Sequence, residues 1–191
     1  MKLRGQEGGT DIEPDAPAYY AKSVSASRVG KAVEYLIAAS CILATGAELN
    51  VSTALVDDEG VDLVFHRRGR SQTIAAQVKS RTTTTSGHLR GRFVAFVRHE
   101  TFRPRPDLFL LFVLVDAADA TYGPVWLVPS ADFARIARHA GAKGRLRFSA
   151  SPSETASDQW RSYRLTRTEL PAQILDLLSG DIDGRSSTES A

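Results

Sequence analysis

The sequence predicts an α/β sandwich, and three observations carry that expectation. An apolar stripe at helical spacing runs through the first third of the chain. A series of short β-rich runs separated by turn-forming residues follows it. One of these runs, DLFLLFVLVD, is apolar without interruption, as a strand covered on both faces would be. At 191 residues the chain is long enough for one domain with a sizeable core.

Residues 1–22 are rich in Gly, Pro and acids and read as a flexible N-terminal arm. The domain itself is expected over 23–179, with a flexible C-terminal tail over 180–191. The first helix is predicted over roughly 26 to 45. Its stripe is Val29, Val33, Leu36, Ile37, Ser40, Leu43 and Ala44, with Ser25 or Ser27 as cap and Gly46 as its end. At about 100° per residue, Glu34 falls on the border of this stripe, where a carboxylate reaches over the edge of whatever the helix covers.

The runs ELNVSTALVD, VDLVFH and QTIAAQVKS read as three strands joined by DDEG and RRGR. RFVAFVR is a fourth strand, and Arg103-Pro104-Arg105-Pro106 breaks the chain before DLFLLFVLVD. PVWLVP reads as an edge strand, and SADFARIARHA as a helix capped by Ser130. RLRFSAS and QWRSYRLT are expected to pair as a peripheral hairpin. A last helix lies near TELPAQILDLL with Thr168 as its cap.

Composition excludes several classes. The lone Cys41 rules out an internal disulfide and reads as a small buried hydrophobe in the first helix. One Cys and four scattered His make no zinc site. The N-terminus lacks the apolar stretch of a signal peptide, and the longest apolar segments are too short to span a bilayer. A soluble cytoplasmic protein with no membrane partner is expected. Net charge is only +2, yet between Arg67 and Arg105 there are ten Lys or Arg and one acid, Glu100. Such a cluster is either the footprint of a polyanion or a solvated face balanced by acids elsewhere in the fold.

The stretch GVDLVFHRRGRSQTIAAQVKSR, residues 60–81, places polar groups where buried strands normally have none. Side chains alternate along a strand, so Asp62 and His66 share one face of the first run, while Gln77 and Lys79 share one face of the second. A two-residue turn at Gly69-Arg70 pairs residues whose numbers sum to 139. Asp62 then faces Gln77 with Cβ atoms about 5 Å apart, and Lys79 lies about 7 Å further along the same face; a longer turn built on Gly69 would move the pairing by about a residue. The same register aligns Val61, Leu63 and Phe65 with Ile74, Ala76 and Val78. A carboxylate and an amide offer oxygen to a hard cation, and a nearby ammonium orients or deprotonates water or stabilises developing charge. Asp57 and Asp58 are alternative ligands.

Asp62 followed by Gln77-Val78-Lys79 on the next strand, with Glu34 on the preceding helix, resembles the PD-(D/E)xK, or restriction-endonuclease-like, nuclease superfamily, in its Mrr-like variant with Gln in the acid position. The resemblance covers roughly residues 26 to 140. It implies a restriction-endonuclease-like core, a mixed central sheet flanked by helices, and Mg2+- or Mn2+-dependent cleavage of DNA. It also implies Asp62 as the principal metal ligand, Gln77 in place of the acid, Lys79 as the catalytic lysine, Glu34 as the helix acid, and a homodimer acting on duplex DNA. Val61 stands where the motif name has Pro, and Gln77 removes one negative charge from the metal site.

Ser80 and Arg81 are candidates for a positively charged lip on phosphate, and Arg90 and Arg92 for DNA contacts. His66, Trp126 and Trp160 read as structural residues. Two rival readings stand beside the nuclease: a nucleic-acid-binding module of the same fold with a weakened or inactive site, and a protein-interaction or immunity component with an acidic partner.

Overall fold

The computed structural model describes residues 24–53, 60–84, 91–140 and 144–180. The predicted arm and nearly all of the predicted tail lie outside them. The first helix, α1, is Val24–Ala44. It ends as its sequence indicates. Gly46, at φ +57°, turns the chain so that Ala47 N–H reaches the carbonyl of Ile42 at 2.9 Å and Gly46 N–H that of Leu43 at 3.2 Å, closing a Schellman motif. Strands β1 (Leu49–Thr53), β2 (Leu63–Arg67), β3 (Thr73–Thr82), β4 (Phe93–Arg98), β5 (Leu108–Asp116) and β6 (Thr121–Pro129) follow. Helix α2 (Ser130–Ile136), β7 (Arg138–Ala140), β8 (Arg145–Ala150), a 3₁₀ turn (Arg161–Tyr163), β9 (Arg164–Leu165) and α3 (Glu169–Ser179) complete the order.

The strands form a six-stranded sheet in the order β1-β2-β3-β5-β6-β9 and a three-stranded sheet in the order β4-β8-β7. In the larger sheet β3 and β5 are parallel and the other pairs antiparallel, so the fold is α/β with a mixed central sheet. An apolar cluster lies on each face. On one, Val33 and Ile37 of α1 and Leu170, Ile174 and Leu178 of α3 cover Phe65, Ile74, Ala76 and Val78. On the other, the small sheet and α2 enclose Phe93, Phe112, Trp126, Phe133, Phe148 and Trp160. Phe112 and Phe148 stack with ring centroids 3.7 Å apart. Successive residues of β5 feed these clusters in turn, so its run is apolar throughout. Trp126, Trp160 and Cys41 are buried as expected, and burial pushes the Cys41 thiol up to about 12.

Several local expectations change. The buried row of α1 is Val33, Ile37 and Cys41, spaced one turn apart. Val29 and Leu43, both assigned to the stripe, are 43% and 80% exposed. The helix begins at Val24, ahead of both Ser25 and Ser27. Ser130 is no cap either. It is the first residue of α2, fully buried, and its hydroxyl donates to the carbonyl of Arg105 at 2.8 Å and accepts the N–H of Arg105 at 2.9 Å. It clamps the Arg-Pro segment instead. The helix expected through Ala140 stops at Ile136, because Arg138–Ala140 pairs with β8.

The predicted hairpin between RLRFSAS and QWRSYRLT does not form. β8 joins β4 and β7, and β9 pairs with β6, which is therefore not an edge strand. The cap box of α3 sits two residues before Thr168. Thr166 Oγ1 accepts Glu169 N–H at 3.2 Å, and the Glu169 carboxylate accepts Thr166 N–H at 2.7 Å, which also holds that carboxyl below its usual range.

Removing the Phe148 ring should create a cavity in the aromatic cluster and cost about 3–5 kcal/mol. Leu43→Ala, at an exposed position, should change stability by no more than about 0.5 kcal/mol. Urea unfolding of the two variants checks the contrast.

Candidate functional site

The β2–β3 ladder pairs Leu63 with Ala76, Val64 with Ala75, Phe65 with Ile74 and His66 with Thr73, which is the register the two sequences imply. The turn differs. Arg70 N–H donates to the carbonyl of Arg67 at 3.0 Å, so the tight turn centres on Arg68-Gly69, and Ser71 and Gln72 widen the loop before β3 resumes. Gly69 adopts φ +75°, the conformation that glycine tolerates best.

Asp62 stands one residue before β2, where the ladder ends. Its N–H donates to the carbonyl of Ala76 at 2.9 Å. Its carboxylate then turns into the plane of the sheet, and Oδ2 accepts the N–H of Val78 at 2.6 Å. Asp62 thus takes the place of the next strand partner. Val78 lies between Gln77 and Lys79, so the carboxylate is held at the backbone joining those two residues.

Gln77 and Lys79 share a face by alternation. Across the parallel ladder Gln77 pairs with Leu110 and Lys79 with Phe112, which puts both on the side of the small sheet. Both are half-buried. The small sheet begins beside them, where Arg81 Nε–H donates to the carbonyl of Val94 in β4 at 3.0 Å. Gly60 lies against the amide of Gln77. A Cβ on Gly60, which has φ +72°, would stand 2.3 Å from Gln77 Nε2. The backbone leading into Asp62 is therefore packed directly on the Gln77 side chain.

Glu34 comes from α1, which covers the opposite face of the sheet. Its side chain is only 12% exposed and pairs with Lys31 Nζ at 2.7 Å. That bond holds the Lys31 ammonium above the usual lysine range. Partial desolvation opposes it, and the charges of Glu34, Tyr35 and Asp62 add to it. Glu34 and Asp62 thus act on one ammonium from two elements. Lys31 was not a candidate from the sequence, although its spacing of three residues from Glu34 was the available signal.

Ser80 is half-buried, and Arg81 and Arg92 are exposed. Both arginines also tie strands together, since Arg92 donates to Ser149 Oγ at 2.9 Å and to its carbonyl at 3.0 Å. Arg90, Asp57 and Asp58 lie outside the described residues. Among the described residues there is no group of three or more His, Cys, Asp or Glu placed to hold a metal ion. No helix among them is long and apolar enough to cross a membrane.

No family model matches the chain, and no curated protein does. A bacterial homing endonuclease is similar in fold. The solved structure of I-Ssp6803I shares 18% identity with this chain, with 81% of this chain and 93% of that chain covered at a TM-score of 0.48.

Two glycine substitutions separate backbone strain from the contact with Gln77. Gly60→Ala and Gly69→Ala both force a side chain into positive φ, at about 1–2 kcal/mol each. Only the former also meets a neighbour, since nothing lies within 4 Å of a Cβ on Gly69. Thermal unfolding should show a larger loss for Gly60→Ala; equal losses would contradict the packing of Gln77 on Gly60.

Proposed function

We propose that this protein is a metal-dependent DNA endonuclease. The observation that carries the reading is the bond from Val78 N–H to Asp62 Oδ2 at 2.6 Å, which brings a carboxylate to the strand segment bearing Gln77 and Lys79. The candidate ligands, Asp62 and Gln77 with Glu34 beyond them, are oxygen donors, and neither thiolate nor imidazole is among them. That chemistry fits a hard divalent cation such as Mg2+ or Mn2+. When bound, such an ion lowers the pKa of water and neutralises charge on phosphate.

The residues of the chain do the rest. Asp62, fixed by the backbone of β3, orients the site. Lys79 presents its ammonium on the face of Gln77, where it holds the attacking water or stabilises charge on the phosphoryl oxygens. Glu34, held by Lys31 on the α1 side of the sheet, would act only around the sheet end at Asp62, through water. Ser80, Arg81, Arg90 and Arg92 extend the basic lip toward the phosphates on either side of the bond that breaks. Cutting both strands of a duplex needs two such sites, so a homodimer belongs to the proposal.

One observation favours a second reading, a nucleic-acid-binding module with a weakened site. Gln77 is neutral and Glu34 is paired with Lys31 at 2.7 Å, which lowers the negative charge offered to a cation.

Nicking of supercoiled plasmid in Mg2+ decides between them. The wild-type chain should nick, and Lys79→Ala should lose about 10²-fold or more of the rate while remaining folded by circular dichroism. Unchanged nicking by that variant would reject the role of Lys79. DNA binding by the wild-type chain with neither nicking nor metal uptake would favour the second reading. Gln77→Glu, which restores a carboxylate, should tighten Mg2+ binding in calorimetry; an unaltered affinity would remove Gln77 from the ligands.

A further inference from the structure

The small sheet has a second, outward face. Phe93, Ala95 and Val97 of β4 and Leu146, Phe148 and Ala150 of β8 point into the core. By alternation, Phe96 and Arg98 of β4, Arg145 and Arg147 of β8 and Arg138 of β7 point the other way. The ladder sets Phe96 beside Arg147, Arg147 beside Arg138, and Arg98 beside Arg145. Arg92, bonded to Ser149, extends the row at its end.

Three features make this face a binding surface. The strands β4, β7 and β8 contain no acidic residue. Arg138 and Arg147 stand directly opposite each other, an arrangement that destabilises a sheet by itself. Phe96, on the edge strand beside Arg147, is 38% exposed, whereas every other Phe of the chain is buried. Arg92, Arg138 and Arg147 also line a shallow cleft of about 410 Å3 with Ser149, Asp158 and Gln159. The carboxylate of Asp158 there is turned to the backbone and accepts the N–H groups of Ser151 and Trp160 at 2.6 and 3.0 Å.

We propose that the outer face of the β4-β8-β7 sheet binds single-stranded nucleic acid, with Phe96 stacked on a base and the flanking arginines on the phosphates. An exposed ring among guanidinium groups offers what a single strand presents and a duplex hides: an unpaired base beside its phosphate. Charge complementarity selects the polyanion, and the ring selects its unpaired form. The face starts at the β4 edge, beside the Arg81–Val94 contact, so a strand leaving the nuclease site continues onto it. The inference rests on the nuclease reading for that continuity, but its test does not.

The test is fluorescence anisotropy of a labelled twelve-nucleotide oligo(dT) with the full chain carrying Lys79→Ala, in EDTA. The parent should bind the oligonucleotide more tightly than a duplex of equal length. Arg138→Ser with Arg147→Ser should weaken binding about tenfold and make the slope of log K against log salt shallower by about 1.4, since each phosphate contact on a single strand contributes about 0.7. Phe96→Ala should weaken it about tenfold, and Phe96→Trp should restore it. The arginine variant should melt no lower than its parent, because a like-charge pair is removed. Parental affinity and salt slope in the arginine variant, no effect of Phe96→Ala, preference for duplex, or no oligonucleotide binding by the parent would each overturn the proposal. Failure of the nuclease reading shows separately, as absent plasmid nicking by the wild-type chain while oligonucleotide binding persists.

Discussion

A strand that runs on past its neighbour leaves backbone amides without partners, and burying such a group costs about 1–3 kcal/mol. β3 does this at Val78, whose side chain is in the core while β2 has already ended. The Asp62 carboxylate fills the gap at 2.6 Å. One hydrogen bond thus closes the main sheet and brings an acid to the strand that carries Gln77 and Lys79. Stability and site geometry share this contact. Replacing Asp62 would therefore disturb both at once.

The surroundings follow from that contact. For Asp62 to turn back onto β3, the chain enters β2 past the Gln77 amide, and a side chain at Gly60 would have to displace that amide. α1 and α3 cover the face of Ile74, Ala76 and Val78, so the polar residues between them face the small sheet. That sheet covers β5 and β6 with aromatic rings and ends at β4, which leaves Gln77 and Lys79 half-buried at its margin. The same sheet turns a basic, aromatic face outward, so the basic character of residues 67–105 is spread over two surfaces of the fold.

Much of this was legible in the sequence where the information is local. The β2–β3 register was, because Leu63 and Phe65 align with Ile74, Ala76 and Val78 in a pairing that also sets Gln77 and Lys79 on one face; Val61, expected beside Leu63, packs instead against the cluster under the small sheet, because β2 has not yet begun there. The uninterrupted apolar run of β5 announced a strand covered on both sides, and Gly46 announced the end of α1. The position of the Asp62 carboxylate was not legible. Alternation put it on the face of Gln77, but ladder rules say nothing of a side chain that replaces a strand partner beyond the end of β2. The small sheet was not legible at all, since Phe93 pairs with Ala150 and no local pattern links segments so far apart. Ser130 misled for a related reason. A serine before a helical pattern reads as a cap, yet here its hydroxyl serves Arg105 across the fold. Lys31 was overlooked because a lysine near a helix-border acid is ordinarily a solvated pair.

The central claim is that Asp62 and Gln77 are brought together to hold a divalent ion beside Lys79. Crystals grown with Mn2+ and measured at a wavelength where manganese scatters anomalously test it most directly. The account predicts an anomalous peak within coordination distance of the Asp62 carboxylate and the Gln77 amide oxygen, with the Lys79 ammonium on the same side of the sheet. Well-ordered density for all three side chains with no peak between them at saturating Mn2+, or a peak elsewhere in the chain, would contradict it.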